Sequence, residues 1–571
     1  MYESDVENEQ GKAVDEKAAV VANAASEHRE CRWWFLRTGS AIAIPLLLLV
    51  VVEICLRVFN VGYPTDLTQP CTIHGQPAAC YNLFFPAPFF PPGMIKTPEA
   101  YAIPADKPAG TFRIFVLGES AAMGDPDPAY AFSRYLEMML RQQFPQMKFE
   151  VINTGSVAIN SHVLLPIAKG LAEQRPDVFI IYSGNNEVVG PYGPGTALTS
   201  SAMSLPLIRA NIFLRSTRIG QLLTQVGTRK REWGGMEMFL DKQVPASSPL
   251  MKYTYANFEA NLRDTVVAAR KSGAQVIVST VATNLRDCSP FASQHRADLS
   301  QDDLNKWTAL VQQASELEDA RSYDQAMKFY VDALAIDNQY AELEFRIARC
   351  LWKMSKYPEA DRHFERARDL DTLRFRADSR INEINRTVAS SSPGVDLVDA
   401  AALLSQQSLN GVVGSDLVYE HVHLTPLGNY LLARAMFQSI ASHIAGHPVV
   451  QGDATSQAEC DRLLAFTSYD HSRIANEMLQ RLQRPPFTNQ LNHSEQMFRM
   501  MVDAQPPAET PDQTEAEYRW ALSQSPNDRI LHYTHGLFLF NFDRQAAVDE
   551  LRLSQPWDGF PVFTPDGTQI Q

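Results

Sequence analysis

Four short stretches of the 571-residue chain carry side chains able to do covalent chemistry. Ser120 stands in Gly118-Glu119-Ser120, directly after the apolar run FRIFVL. Asn153-Thr154-Gly155 and Ser183-Gly184-Asn185-Asn186-Glu187 each follow a further apolar run. Glu420-His421-Val422-His423-Leu424-Thr425-Pro426 comes far downstream, just before a helical pattern. A serine, a glycine, an asparagine and a histidine with a nearby carboxylate are what acyl transfer requires. They supply a nucleophile, donors for a developing oxyanion, and an oriented base. His421 and His423 compete for the last role. A His-x-His pair also suits a metal, but no partner ligands with zinc-like spacing accompany it, so no metal and no cofactor are expected.

The elements that must position these residues follow from hydrophobic periodicity. Phe112–Leu117, Phe149–Asn153, Val178–Tyr182, Gln275–Thr280 and Val395–Asp399 read as short, nearly continuous apolar strands. Helical patterns over Ala131–Phe144, Leu164–Gln174 and Tyr255–Lys271 alternate with them. That alternation predicts an α/β fold with a parallel sheet covered on both faces. In such sheets ligands bind outside the carboxyl ends of the strands, where the chemical residues fall.

The four blocks, in this order, resemble the SGNH (GDSL-like) hydrolase superfamily. The whole arrangement is similar to bacterial membrane-anchored SGNH-domain proteins carrying tetratricopeptide repeats. FVLGESAAMGDP, YSGNNEVVGPYGPGT, NLRDCSPF and EHVHLTPLGNYLLA carry the likeness. It implies a three-layer αβα domain in which Ser120 is the nucleophile. The Ser120 and Gly155 N–H groups and the Asn186 amide would form the oxyanion hole, His423 the base and Glu420 its orienter. Only His423 has a carboxylate three positions before it, as the family's pattern asks. Three glutamates depart from the family's aspartates. Glu119 and Glu187 bear on loop structure, whereas Glu420, the longer side chain, must fold back to reach the imidazole. Ser120-Ala121-Ala122 is no Gly-x-Ser-x-Gly elbow, which argues against an α/β-hydrolase fold.

A helical block interrupts the domain. Tyr323, Ala326, Tyr330, Ala333 and Asp337 recur as Tyr357, Ala360, Phe364, Ala367 and Asp371, each offset by 34 residues. That is the tetratricopeptide period, with helices before residue 320 and over Arg374–Arg386 expected to cap it. The expected layout is a disordered cytoplasmic leader (1–32), a transmembrane helix (33–59), and an extended Pro/aromatic-rich connector (60–110). The SGNH domain follows in two parts (111–300 and 391–445) around the repeat insert (301–390), then a helical region with repeat-like helices (446–571).

Composition bounds the rest. With 45% hydrophobic and 20% charged residues the chain is not disordered as a whole. A net charge of −14 without a basic run offers nothing to nucleic acid. Thr38–Val52 lacks charge, Trp33 and Trp34 suit an interface, and Glu53 can pair with Arg57 at i+4. Arg29, Arg32 and Arg37 lie on one side of the span, which predicts a cytoplasmic N-terminus and an extracytoplasmic, periplasmic remainder at a bacterial inner membrane. Cys71 and Cys80 would be free to pair there. The expected activity is a single-pass membrane serine esterase acting on an O-acyl ester of a glycan or lipid. Alternatives are an O-acyltransferase of extracellular polysaccharide or cell wall, and an inert protein-binding scaffold. The expected partners are the bilayer and a protein or peptide held by the repeats.

Overall fold

The computed structural model describes residues 37, 40–199, 204–225, 232–449 and 454–570. The expected leader and Trp33–Leu36 lie outside them. The chain divides into two compact units, Met1–Pro64 with Phe213–Thr228, and Thr65–Ile212 with Arg229–Gln571.

In the smaller unit, helix α1 (Ser40–Val58) is apolar apart from Glu53 and Arg57, with mean hydropathy 2.5 and a mostly exposed surface. Nineteen residues at 1.5 Å each give about 28 Å, close to the hydrocarbon thickness. Glu53 accepts from Arg57 Nε at 2.8 Å.

The larger unit opens with a three-stranded antiparallel sheet, β1 (Thr68–Ile73), β2 (Gln76–Tyr81) and β3 (Ala102–Pro104). This corrects the reading of residues 60–110 as an extended connector. Prolines at 70, 77 and 104 mask the strands in sequence, and here they occupy short strands of a small sheet. Cys71 and Cys80 form a disulfide, and Phe85, Phe89, Phe90 and Met94 are buried in the main core.

The central sheet is wholly parallel: β4 (Thr111–Gly118), β5 (Lys148–Asn153), β6 (Val178–Tyr182), β7 (Gln275–Ser279) and β8 (Val395–Val398), in spatial order β5-β4-β6-β7-β8. Apolar residues of β4, β6 and β7 are buried on both faces, which is why these strands read as unbroken hydrophobic runs. Helices α2 (Ser120–Met123), α3 (Phe132–Gln143) and α4 (Ser161–Ala172) connect the first strands. Then come α5 (Leu205–Ser216), whose end from Phe213 belongs to the smaller unit as does α6 (Arg218–Gln225), and α7 (Pro249–Lys271). Strand order reverses at β4, so the crevice between the carboxyl ends of β4 and β6 is the predicted ligand position.

Between β7 and β8 stand α8 (Gln301–Asp319), α9 (Tyr323–Ile336), α10 (Ala341–Lys353) and α11 (Tyr357–Leu370). Ala326, Tyr330, Ala333, Ala360, Phe364 and Ala367, six residues of the 34-residue pattern, are buried in one core of their own. The expected second cap is displaced. Helix α12 (Ser379–Ser391) packs on α7, β7 and β8 and so covers the sheet. Its Ile381, Ile384 and Val388 face the main core.

Helices α13 (Ala400–Gln407) and α14 (Pro426–Ala445) complete the sheet layers. The C-terminal part is helical: α15 (Gln457–Leu463), α16 (Ser468–Leu482), α17 (His493–Asp503), α18 (Pro511–Gln524), α19 (Arg529–Leu539) and α20 (Arg544–Leu553). Cys460, Leu463, Ile474, Met478 and Leu482 are buried in the same core as the sheet.

Candidate active site

Ser120 is the first residue of α2, immediately beyond the carboxyl end of β4. At the first position of a helix its N–H has no partner within that helix. The turn is held tightly. Asn153 Nδ2 donates to Ala122 O at 2.7 Å, and Gly124 ends the helix in the left-handed region at φ 96°. Gly155 is pressed against the same helix. A Cβ there would lie 2.6 Å from the Met123 nitrogen, so only glycine fits.

His423 reaches Ser120 from a tight turn before α14. Tyr419 N–H donates to His423 O at 2.8 Å, a bridge joins Val418 to Leu424, and Thr425 caps α14 with Pro426 in its first turn. His423 Nε2 lies 2.8 Å from Ser120 Oγ. Glu420 does fold back: one oxygen bonds His423 Nδ1, and the other accepts from the N–H groups of His421, Val422 (3.0 Å) and His423 (3.3 Å). The extra methylene is taken up by wrapping the carboxylate over its own following backbone. His421 Nδ1 lies 2.9 Å from the second Glu420 oxygen, and its ring packs edge-on against His423 and Phe291. Glu420, His421 and His423 form the candidate ligand cluster found among the described residues; Glu420 and His423 Nδ1 are bonded to each other, whereas His421 Nδ1 sits beside the second Glu420 oxygen without a hydrogen bond.

Burial works against charge on Glu420, yet the two imidazoles outweigh it and hold the carboxyl well below its usual range. Burial likewise opposes charge on His423, and Glu420 and Asp125 overcome it, raising this histidine above the ordinary value. His421 is lowered by burial.

Asp125 is a functional candidate that the sequence reading missed. Its Oδ2 lies 3.0 Å from His423 Nε2, the nitrogen that also faces Ser120. Arg481 on α16 grips Asp125 with both terminal nitrogens, at 2.6 and 2.9 Å, and approaches His423 Nδ1 at 3.2 Å. Desolvation of Asp125 is outweighed by His423 and Arg481, which lower its pKa. The available signal was its place one residue beyond Gly124. The arginine lies 356 residues away and leaves no local trace.

The other expected donors are engaged in different ways. Asn186, beyond β6, lines the cavity and donates one amide hydrogen to Ile159 O at 3.1 Å. An amide nitrogen carries two hydrogens, so a second remains for a ligand. The Gly155 N–H donates to Asn153 Oδ1 at 2.9 Å, and Gly155 is not among the described residues lining the cavity. Glu119 accepts from Ser183 Oγ, Gly184 N–H and Asn185 N–H, tying the loop after β6 to the serine turn. Glu187 accepts from the N–H and Oγ of Ser161, both at 2.8 Å, tying that loop to α4. Burial raises both carboxyls, Glu119 to about 8 with help from Glu187, and Glu187 to about 7.

Ser120 opens onto a cavity of about 440 Å³. Trp233, Phe239, Phe375 and Phe487 give it apolar walls, and Lys96 and Arg484 bring cations to it. Lys96 Nζ stands 4.7 Å above the Trp233 ring, and burial lowers its pKa. A nucleophile, a base and an oriented carboxylate at the mouth of such a cavity can carry out acyl transfer.

No family model and no curated protein matches the chain. Among solved structures it is similar to an acetyl xylan esterase, at 12% identity and TM-score 0.28 over 58% of this chain and 100% of that one. It is also similar to the lipase/acylhydrolase from Enterococcus faecalis, at 10% identity and TM-score 0.26 over 58% of this chain and 96% of that one.

Proposed function

We propose that the protein is a membrane-anchored serine ester hydrolase working through an acyl-serine intermediate. One observation carries the reading: Ser120 Oγ lies 2.8 Å from His423 Nε2, and the opposite nitrogen of that ring is bonded to the buried Glu420 carboxylate. His423 takes the Ser120 proton as Oγ attacks the ester carbonyl, and Glu420 holds the tautomer that leaves Nε2 free to accept it. The Ser120 N–H and the Asn186 amide receive the oxyanion. Gly155 joins them only if its N–H turns from Asn153. The imidazolium then gives its proton to the leaving alcohol oxygen. Water, activated by the same ring, releases the acid and restores Ser120.

The order of the four blocks along the chain and their meeting at the β4–β6 crevice support this reading. The length and apolarity of α1 support the membrane anchor, and the Cys71–Cys80 disulfide supports an oxidising, extracytoplasmic compartment. The 34-residue pattern with its separate core supports reading α8–α11 as tetratricopeptide-like helices that hold a protein or peptide. The O-acyl ester of a glycan or lipid is the proposed substrate class. Purified protein should hydrolyse a small aryl acetate, and a serine-directed phosphonate should modify Ser120 by mass spectrometry. Ser120→Ala should abolish both. Turnover equal to wild type in that variant rules the mechanism out.

A further inference from the structure

Glu53 is the one acidic residue within the apolar helix α1, and Arg57 does not account for all of its bonding. Its two carboxylate oxygens also accept from the N–H groups of Arg218 at 3.0 Å and Ile219 at 3.1 Å, the first residues of α6. A second tie lies close by. Gln221, from α6, accepts from Tyr63 N–H at 3.0 Å and donates to Tyr63 O at 2.9 Å. Helix α6 is therefore fastened to the C-terminal end of α1. Glu53 lies five residues before the helix ends, about 8 Å along its axis.

What α6 and the end of α5 present is apolar. Phe213 is 70% exposed, Leu214 48% and Leu223 63%, with Leu222 beside them. Polar backbone at the break between the two helices is covered from within. Ser216 Oγ donates to Phe213 O at 2.7 Å, Thr217 Oγ1 donates to Leu214 O at 2.7 Å, and Gly220 N–H donates to Thr217 Oγ1 at 3.0 Å. In water these groups need no such cover, whereas in a bilayer every backbone polar group must find a partner. Arg215, interleaved with the apolar residues, suits the headgroup layer.

We propose that the segment Phe213–Gln225 is a membrane-interface element, with Phe213, Leu214, Leu222 and Leu223 inserted among the lipid acyl chains beside the end of α1. This rests on reading α1 as a membrane span. The occupant of the apolar face is lipid: the face is tied to the end of the spanning helix, and its depth follows from that tie. Glu53 then has a role that an acid in a span needs. It satisfies the N-terminal N–H groups of α6 at a depth where water is scarce.

The test uses the full-length protein in phosphatidylcholine/phosphatidylglycerol vesicles. Residues 31 and 55 are changed to serine, and an environment-sensitive dye is attached at Leu223→Cys. Lipids brominated near the headgroup should quench it strongly, roughly twofold or more, and lipids brominated near the chain ends should quench it less, as expected for burial 5–10 Å deep. Phe213→Cys should behave alike, which guards against a fold defect in the first variant. Lys353→Cys, on the exposed side of α10, should not be quenched. Leu48→Cys, mid-way along α1, should respond to deep bromines. Loss of quenching at 223 and 213 while 48 remains deep overturns the proposal alone. Loss at 48 as well overturns the span on which it rests. Quenching at 223 only by a second, quencher-labelled copy also overturns it, in favour of a dimer surface.

Discussion

His423 stands between two carboxylates, Glu420 at Nδ1 and Asp125 at Nε2, and this sets how the proposed base would titrate. The neutral ring is the one that accepts the Ser120 proton, so activity rises as pH climbs through the His423 pKa. That pKa is raised, placing the acidic limb of kcat/KM above the ordinary histidine value near 6.5. The charged or titrating groups around it are Glu420, His421, Asp125 and Arg481, with Glu477 paired to Arg481 at 3.5 Å. Asp125→Asn removes an anion from Nε2, so the imidazolium loses a partner and the limb moves down, by about one pH unit. Arg481→Gln removes a cation near Nδ1, so the limb moves up. Profiles of phosphonate labelling against pH read both shifts. A purely structural pair would lower the rates without moving the limbs in opposite directions. Asn186→Ala tests the oxyanion donors. It should reduce kcat about 10²–10³-fold with KM little changed, whereas an unaltered kcat would remove Asn186 from the hole.

At the scale of elements, the loop after β6 is held by two buried carboxylates. Glu187 carries the prediction: its hydrogen-bond partners among the described residues are the N–H and Oγ of Ser161, and its charge also bears on Glu119. Its pKa in the folded chain is about 7, above the ordinary carboxyl value of 4.5, because burial disfavours the charge. The folded state therefore binds the proton more tightly. Its contribution to stability is complete below pH 4.5 and is lost as pH rises through 7. Glu187→Gln keeps an acceptor for the N–H and adds no charge, so its melting temperature should match wild type near pH 4. By pH 8.5 it should exceed wild type by a few degrees, about 2–5 °C. Thermal scans at the two pH values check the sign. Here sequence and structure agree best. The run VFIIY is β6 to the residue, because a strand buried on both faces has no polar alternation to blur it. The β1–β3 sheet was illegible, since proline-bearing strands of three to six residues carry no such signal. Helix α12 was misassigned because its apolar spacing suits either a repeat cap or a sheet cover, and only packing on β7 and β8 decides.

At the scale of the whole chain, the candidate site draws on Ser120, His423 and Arg481, so the C-terminal helices belong to it as much as the sheet does. In sequence the first two stand out through the blocks that carry the family resemblance. The C-terminal region stands apart there, because a contact over hundreds of residues has no periodicity. The cores follow the same division. Met478 on α16 is buried in the core of the sheet, whereas Tyr330 on α9 is buried in a separate core that α8–α11 form with Leu285 and Val412. Truncating either to alanine leaves a cavity and costs about 2–5 kcal/mol, with the larger volume lost at Tyr330. The consequences should differ in place. Met478→Ala loosens α16, and with it the Arg481 clamp on Asp125, so phosphonate labelling of Ser120 should slow or change its pH profile. Tyr330→Ala also takes a hydrogen bond from Glu318, and should expose α8–α11 to limited proteolysis while Ser120 labels at the wild-type rate. Equal loss of labelling in both variants would mean that the helical insert and the site unfold as one body. The expected difference would make α8–α11 a separately stable element within the β7–β8 connection.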